Sequence, residues 1–319
     1  MMTILEALNS ITSHKDPKTA SRDHCYSGLS TEEIAAYKEQ GWDYYQGKVR
    51  ELLKKDSKLL IVHSDRLSAF DTYIGEVPYK GQILAAITKF WFETLSSVFP
   101  HHYQGSESAR VLRAKSCKPI KAEIVVRAYM AGSMLRAYEK GARTFCGVTL
   151  PEGLKPYSKL PSPIITPTSK AAAFEHDVEM TAEQLISSGV CSQDEWRQIS
   201  DLALKLYEKG REVYAKSDWI LVDTKYEFGK DQSGEIIIID EVHTPDSSRL
   251  WNARNYEALT QQDKAPEMLD KEIVRRYLIE KGFKGQGKVP EIPEEVLVDL
   301  AKVYLQVAER LIGEPLLGE

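Results

Sequence analysis

Asp223, Lys225 and Glu227 stand at alternate positions in the run Ile220-Leu221-Val222-Asp223-Thr224-Lys225-Tyr226-Glu227-Phe228-Gly229. Successive side chains of a strand point to opposite faces, so these three charges share one side. A lone buried charge reads as a salt bridge, whereas three of mixed sign on one strand face read as a polar site. Asp231-Gln232-Ser233-Gly234 has turn composition. The unbroken β-branched run Ile236–Ile239 reads as a strand buried on both faces, and it delivers Asp240 and Glu241 at its end. Closed as an antiparallel hairpin, the strands pair residues whose numbers sum to about 465. Glu227 then falls opposite Ile238, with Asp240 two places along. Diagonal neighbours of that kind lie roughly 7–8 Å apart or less. The two carboxylates could therefore share a hard cation such as Mg²⁺, which takes one or two carboxylates plus phosphate oxygens. The alternative is a hairpin with solvated acids, and the apolar run beside them weighs against it.

Three further stretches carry chemistry. Gly47-Lys48-Val49-Arg50 interrupts a strand-like run at 44–53, where a glycine signals a bend or a close backbone approach. Such a turn suits the phosphates of a nucleotide, or is simply a basic hairpin edge. It is not a P-loop, because G-x-x-x-x-G-K-[ST] is absent. The strand at 58–63 runs into Ser64-Asp65-Arg66-Leu67-Ser68-Ala69-Phe70-Asp71, a dense set of small donors and charges of the kind that binds ligands at strand ends. Arg127 emerges from an apolar strand, and Gly132-Ser133 can open a helix. An arginine beside a helix N-terminus suits an anion; a salt-bridged arginine and an N-cap serine are the alternative.

The elements that must position these residues are partly legible. Ser30 with Glu33, Thr181 with Gln184, and Ser192 with Glu195 are capping boxes, predicting helices that stop by Gly41, by Gly189 and near Lys216. A helix over 82–98 follows Pro78-Tyr79-Lys80-Gly81. Its Ile83, Leu84, Ile87, Phe90, Trp91 and Leu95 fall on one face and are read as core. Strands return over 111–126. Residues 153–170, with Pro161, Pro163 and Pro167, read as an extended loop. Amphipathic helices are expected over 269–281 and 293–312, the second with Pro293 at its start and Gly313 as its stop. Residues 1–27 are polar without sustained periodicity and read as an extension on the surface or poorly ordered, with Glu6 breaking their only apolar cluster.

Composition excludes little beyond fibres and membrane spans. The 319 residues are 28% charged and 42% hydrophobic, an ordinary globular balance that can fill one large domain or two medium ones. A net charge of −5 gives no general footprint for nucleic acid, yet a local basic cluster can still bind phosphate. Cys25, Cys117, Cys146 and Cys191 form no C-x-x-C or Cys/His metal spacing and read as reduced thiols. No signal-peptide pattern and no apolar run of about 18 residues is present. The expectation is a soluble, cytoplasmic protein with no membrane or nucleic-acid partner; monomer or homo-oligomer is undecided.

Taken together, the stretches resemble one family. Leu221-Val222-Asp223-Thr224-Lys225-Tyr226-Glu227-Phe228-Gly229, then Asp240-Glu241 and Thr244-Pro245-Asp246-Ser247-Ser248-Arg249-Leu250-Trp251, are similar to one signature of the SAICAR synthetases of purine biosynthesis. Glu123-Ile124-Val125-Val126-Arg127-Ala128-Tyr129-Met130-Ala131-Gly132-Ser133 resembles the other signature, although Lys121 stands where the family usually has proline. The G-K-V-R turn, the S-D-R-x-S-A-F-D box and P-x-K-G follow in family order. Around Glu175-His176-Asp177 the chain departs from the family's G-E-H-D-E-N, with Phe174, Val178 and Glu179 in place of glycine, glutamate and asparagine.

The resemblance implies an α+β fold related to the protein-kinase and ATP-grasp architecture. A β-rich N-terminal part at 44–120 would follow an extension and short helix at 1–43. A larger α/β part would span 121–319, with ATP between the two. It also implies an ATP-dependent carbon–nitrogen ligase joining 5-amino-1-(5-phospho-ribosyl)imidazole-4-carboxylate to L-aspartate, giving SAICAR, ADP and phosphate. Glu227 and Asp240 would hold Mg²⁺, and Gly47, Lys48, Val49 and Arg50 would cover ATP. Asp223, Lys225 and Arg249 would serve catalysis. Arg127 and Ser133 would hold the imidazole nucleotide, while Ser64, Asp65, Arg66, Ser68, Asp71 and Lys80 would lie around the acceptor end. A small-molecule or protein kinase of related fold is the alternative, although neither H-R-D-x-x-x-x-N nor D-F-G occurs in the chain.

Overall fold

Two antiparallel sheets set the architecture. The computed structural model describes residues 2–13, 24–70, 72–170 and 178–318. The first sheet has the order β1-β2-β3-β7-β6, built from β1 (Asp43–Gln46), β2 (Arg50–Lys55), β3 (Lys58–His63), β6 (Tyr103–Ser106) and β7 (Val111–Lys115). A small hairpin of β4 (Arg66–Ala69) and β5 (Thr72–Glu76) adjoins it in sequence. The second sheet has the order β11-β8-β12-β13, with β14 also paired to β12. Its strands are β8 (Lys118–Tyr129), β11 (Lys159–Ser169), β12 (Trp219–Lys230), β13 (Ile236–Ile239) and β14 (Ser248–Asn252). β9 (Thr144–Phe145) and β10 (Val148–Thr149) form a short separate pair.

The described helices are α1 (Ile4–Ser13), α2 (Thr31–Glu39), α3 (Lys80–Leu95), α4 (Gly132–Glu139), α5 (Ala182–Ser187), α6 (Gln193–Ala215), α7 (Ala253–Thr260), α8 (Glu272–Glu280) and α9 (Glu294–Ile312). All three expected capping boxes form, at Ser30, Thr181 and Ser192. One hydrophobic core joins the second sheet to α1, α3, α6 and α9, with Trp91, Phe92, Tyr207, Trp251 and Tyr304 buried in it. In the first sheet, alternate residues of β3 face opposite ways. Ile61 packs with Ala85 of α3, while Leu60 and Val62 pack with Tyr37 and Trp42 around α2.

Three expectations are corrected. Within the stretch expected on the surface, residues 4–13 form α1, whose Ile4, Ala7, Leu8 and Ile11 are fully buried in the main core. The proline-rich stretch is not a loop over its length, because 159–169 is strand β11. Prolines are tolerated there since β11 is an edge strand, and a register break between Lys159 and Ile164 takes in Pro161 and Pro163. The central hairpin pairs one residue out of the expected register, Glu227 opposite Ile239 rather than Ile238. Its turn closes with Asp231 N–H donating to the Glu235 carbonyl at 3.0 Å, one residue longer than the four read as a turn.

Candidate functional site

The second sheet writes a row of charges across three strands. Asp223 of β12 is registered against Arg127 of β8 on one side and Arg249 of β14 on the other. Paired residues share a face, and all three side chains meet. Arg249 Nη1 donates to Asp223 Oδ2 at 2.7 Å and Arg127 Nη1 donates to the same oxygen at 3.3 Å. Arg127 also donates from Nε to Thr166 Oγ1 at 2.8 Å and from Nη2 to Ser133 Oγ at 3.4 Å. Gly132 lets Arg249 lie over the start of α4, since a Cβ there would sit 2.5 Å from Nη2, and its φ of +59° suits glycine. One step along β12, Lys225 pairs with Glu123 and lies 3.8 Å from Glu227, which also accepts from Lys170. Burial opposes the Lys225 charge, but Glu123 and Glu227 outweigh it and hold the ammonium above the usual lysine range.

A second layer comes from the first sheet. The turn at 47–50 joins β1 to β2, with Gly47 N–H donating to the Arg50 carbonyl at 2.8 Å. A Cβ on Gly47 would approach that oxygen to 2.9 Å. Ser64 and Arg66 brace this turn. Ser64 Oγ donates to Val49 O at 2.7 Å, while Arg66 donates to Gly47 O and Lys48 O, each at 3.2 Å. Arg50 reaches across to the second sheet, donating to Asp240 Oδ1 at 2.6 Å and Glu241 Oε1 at 2.7 Å. Asp240 lies just beyond the paired end of β13 at φ +68°, which redirects it from the ladder.

These layers enclose a cavity of about 430 Å³. Lys48, Val49, Arg50, Ser68, Arg127, Ser133, Asp223, Lys225 and Arg249 all line it. Eight cationic and five anionic side chains face it, an excess of three positive charges in a chain of net charge −5. It therefore suits an anionic ligand. A larger depression of about 620 Å³, bordered by Phe90, Val213 and Leu311, gathers no comparable set of convergent charges.

Other expected residues lie behind the wall. Asp65 is fully buried, its carboxylate accepting from Tyr26 N, Gly81 N and Arg110 Nη1 at 2.7–2.9 Å. Lys80, at the start of α3, is 1% exposed and 3.7 Å from Asp246. Gly47, Ser64, Arg66, Glu227 and Asp240 flank the cavity without lining it. Asp71 and residues 174–177 lie outside the described residues.

Several lining residues were not singled out from the sequence. Arg136 sits one helical turn after Ser133 on α4, and Arg275 follows Lys271 by four at the start of α8. That spacing puts each pair on one face and was the available signal. Asp246 is buried between Lys80 and Lys271, at 3.7 Å from each, and accepts from Tyr304 Oη at 2.9 Å. Burial works against its charge, but Lys271 and Lys80 hold the carboxyl below the usual aspartate range. Burial pushes Lys271 down to about 8.

A two-sheet α+β protein with a cationic cleft between its sheets is the class that this arrangement defines. The family model for SAICAR synthetase matches residues 43–292, and the chain belongs to that family. The phosphoribosylaminoimidazole-succinocarboxamide synthase of Legionella pneumophila (strain Paris) is 41% identical over 275 residues, covering 85% of this chain and 88% of the relative. That of Flavobacterium psychrophilum is likewise 41% identical, over 274 residues, with 85% and 87% covered. Among solved structures, the SAICAR synthase from Saccharomyces cerevisiae in complex with SAICAR superposes with a TM-score of 0.75 at 29% identity, covering 91% of this chain and 98% of that one. A type-2 SAICAR synthetase in complex with ADP gives 0.65 at 28% identity, covering 86% and 99%.

Proposed function

We infer that this chain is the ATP-dependent ligase that joins 5-amino-1-(5-phospho-ribosyl)imidazole-4-carboxylate to L-aspartate, releasing SAICAR, ADP and phosphate. Family membership over 43–292 carries this reading, and it does not favour the kinase alternative. The cationic cleft supports it physically, because both the imidazole nucleotide and ATP are polyanions. A carboxylate is a poor acyl donor; phosphorylation supplies a leaving group, and the aspartate amine can then attack. The protein's share is positioning and charge neutralisation.

In this reading the turn at 47–50 covers the phosphates of ATP, with Lys48 and Arg50 supplying charge and Ser64 and Arg66 holding the turn's carbonyls. Arg127, Ser133 and Arg249 bind the imidazole nucleotide, and Asp223 fixes both guanidiniums. Lys225 faces the reacting carboxylate. Ser68 lines the acceptor end, whereas Asp65 and Lys80 act from behind it by fixing the start of α3. Among the described residues no group of three His, Cys, Asp or Glu is placed to cage a metal. Magnesium does not need one, since two carboxylates plus phosphate oxygens suffice. Glu227 and Asp240 fit that role: both offer only oxygen and both already answer cations, Lys170 and Arg50. Mg²⁺ held there would neutralise the ATP phosphates.

We further propose that the β-rich part at 44–120 and the part at 121–319 act as the two walls of the ATP cleft, with 1–43 as an addition to the first. No described helix is long and apolar enough to cross a membrane, and the cytoplasm is the compartment we propose. The test is ADP release with the imidazole carboxylate nucleotide, with and without L-aspartate. Sustained release should require both; full-rate release without aspartate would overturn the ligase reading.

A further inference from the structure

His243 is buried on the far side of the loop that presents the acidic residues of the cleft. Residues 240–247 connect β13 to β14 and carry Asp240, Glu241, Asp246 and Ser247. Arg50 grips the first two, while Lys80, Lys271 and Tyr304 grip Asp246. Nothing in those contacts fixes the middle of the loop. His243 does, from the other side. It is 0% exposed and its Nε2 lies 2.6 Å from Tyr226 Oη. Its ring meets Trp91 edge-on at 4.4 Å, and its carbonyl accepts from Tyr214 Oη. Tyr226 sits on β12 between Lys225 and Glu227, and points away from the face that those two charges share.

The ring fits only because of a gap in α6. Gly210 lies inside this 23-residue helix, where glycine is a poor choice. A Cβ there would stand 2.5 Å from His243 Cε1, 2.6 Å from Nε2 and 2.9 Å from Nδ1. Three ring atoms fill the space that one methyl group would take, and Trp91 packs edge-on against the same ring. The backbone at His243 is also left-handed, at φ +54°, as it is at Asp240. A loop with two such residues in four holds its shape only when packing fixes it.

We propose that His243 is a positioning residue: a peg seated in the Gly210 notch of α6 and tied to Tyr226, which sets where loop 240–247 offers Asp240 and Glu241 to Arg50 and to bound nucleotide. The proposal rests on the nucleotide reading of that loop. Gly210→Ala pushes the ring out and moves the loop. His243→Ala leaves the notch empty, so the added methyl group then meets nothing.

The test is calorimetric binding of ADP with magnesium chloride, together with thermal unfolding, for the wild type, Gly210→Ala, His243→Ala and the double variant. Gly210→Ala should weaken binding about tenfold, and its penalty should vanish in the His243→Ala background, the non-additivity expected of touching residues. Equal penalties in both backgrounds, or unchanged binding with only a lower Tm, would overturn the proposal. Tyr226→Phe removes one oxygen and no bulk, so it reports even where Gly210→Ala does not fold. It should weaken binding about threefold if the tie matters, and unaltered binding there counts against the peg. Asp240→Asn separates the two readings. If it binds as the wild type while Gly210→Ala does not, the magnesium assignment fails and the peg stands.

Discussion

Replacing Arg127 by lysine tests whether its planar fork, rather than its charge alone, serves the imidazole nucleotide. Nε, Nη1 and Nη2 of Arg127 each donate to a different protein group: Thr166, Asp223 and Ser133. A guanidinium so fixed still directs its remaining N–H groups into the cleft, whereas a lysine ammonium is a point charge that cannot span these partners. The substitution should therefore lose one charged hydrogen bond to the ligand, about 1.5–3 kcal/mol. That corresponds to a rise of about 10- to 100-fold in KM for the imidazole nucleotide. The fold should survive, because Asp223 keeps its 2.7 Å bond from Arg249 and so is not left as an uncompensated buried charge. Steady-state kinetics with each substrate varied in turn, beside thermal unfolding, makes the measurement. KM for ATP should move by less than about threefold. Equal rises in both KM values would refute the reasoning and leave Arg127 as a structural arginine.

Glu227→Gln and Asp240→Asn should each lose about a hundredfold or more in turnover at ordinary Mg²⁺, equivalent to about 2.7 kcal/mol; near-wild-type turnover in either variant would remove it from the proposed metal site. Glu179→Gln should be nearly silent, since Glu179 is exposed and bridges Thr168 at the outer edge of β11. A loss of roughly a hundredfold there would make it a site residue. Acid should destabilise the protein through His63 and His243, which burial pushes down to about 3. The unfolded chain takes up those protons near pH 6.5 and the folded chain does not until about pH 3, so stability falls across that window by up to about 1.4 kcal/mol per pH unit for each. Asp270, pushed up to about 6 by burial, binds its proton first in the folded state and offsets part of this between about pH 6 and 4. Tm should fall between pH 6.5 and 4, and a flat profile would contradict the buried, neutral histidines.

What could be read from the sequence follows the range of the interactions involved. Local devices were legible: the capping boxes at Ser30, Thr181 and Ser192, the buried run Ile236–Ile239, and the glycine turn at 47–50 each depend on near neighbours. The first helix was missed, although its signal is equally local. Read as a break in an apolar cluster, Glu6 instead closes a capping box, accepting from Thr3 N–H at 2.8 Å while Thr3 Oγ1 accepts from Glu6 N–H at 3.2 Å. Non-local packing was not legible. Nothing within 269–281 says that Lys271 and Arg275 close one wall of a cleft built from β2, β8 and β12. Likewise, the prolines of β11 are permitted only by its place at a sheet edge, which the order of strands decides.

The charge row explains why fold and chemistry are hard to separate here. Asp223 faces Arg127 and Arg249 only because β8 and β14 pair with β12 in one register. A slip of one residue on either side would turn that strand's arginine to the opposite, apolar face, where Tyr226 and Phe228 are buried. Desolvating a guanidinium away from a carboxylate is costly, so the wrong register is penalised by the same charges that make the site. Burial alone would weaken the Arg249 charge, yet Asp223 outweighs it and holds the guanidinium above its usual range. For Arg127 burial outweighs Asp223 and lowers its pKa, but the shared carboxylate still holds the two guanidiniums close together and fixed. An anionic substrate would meet a donor array already organised by the sheet, and little reorganisation would remain to be done when it binds.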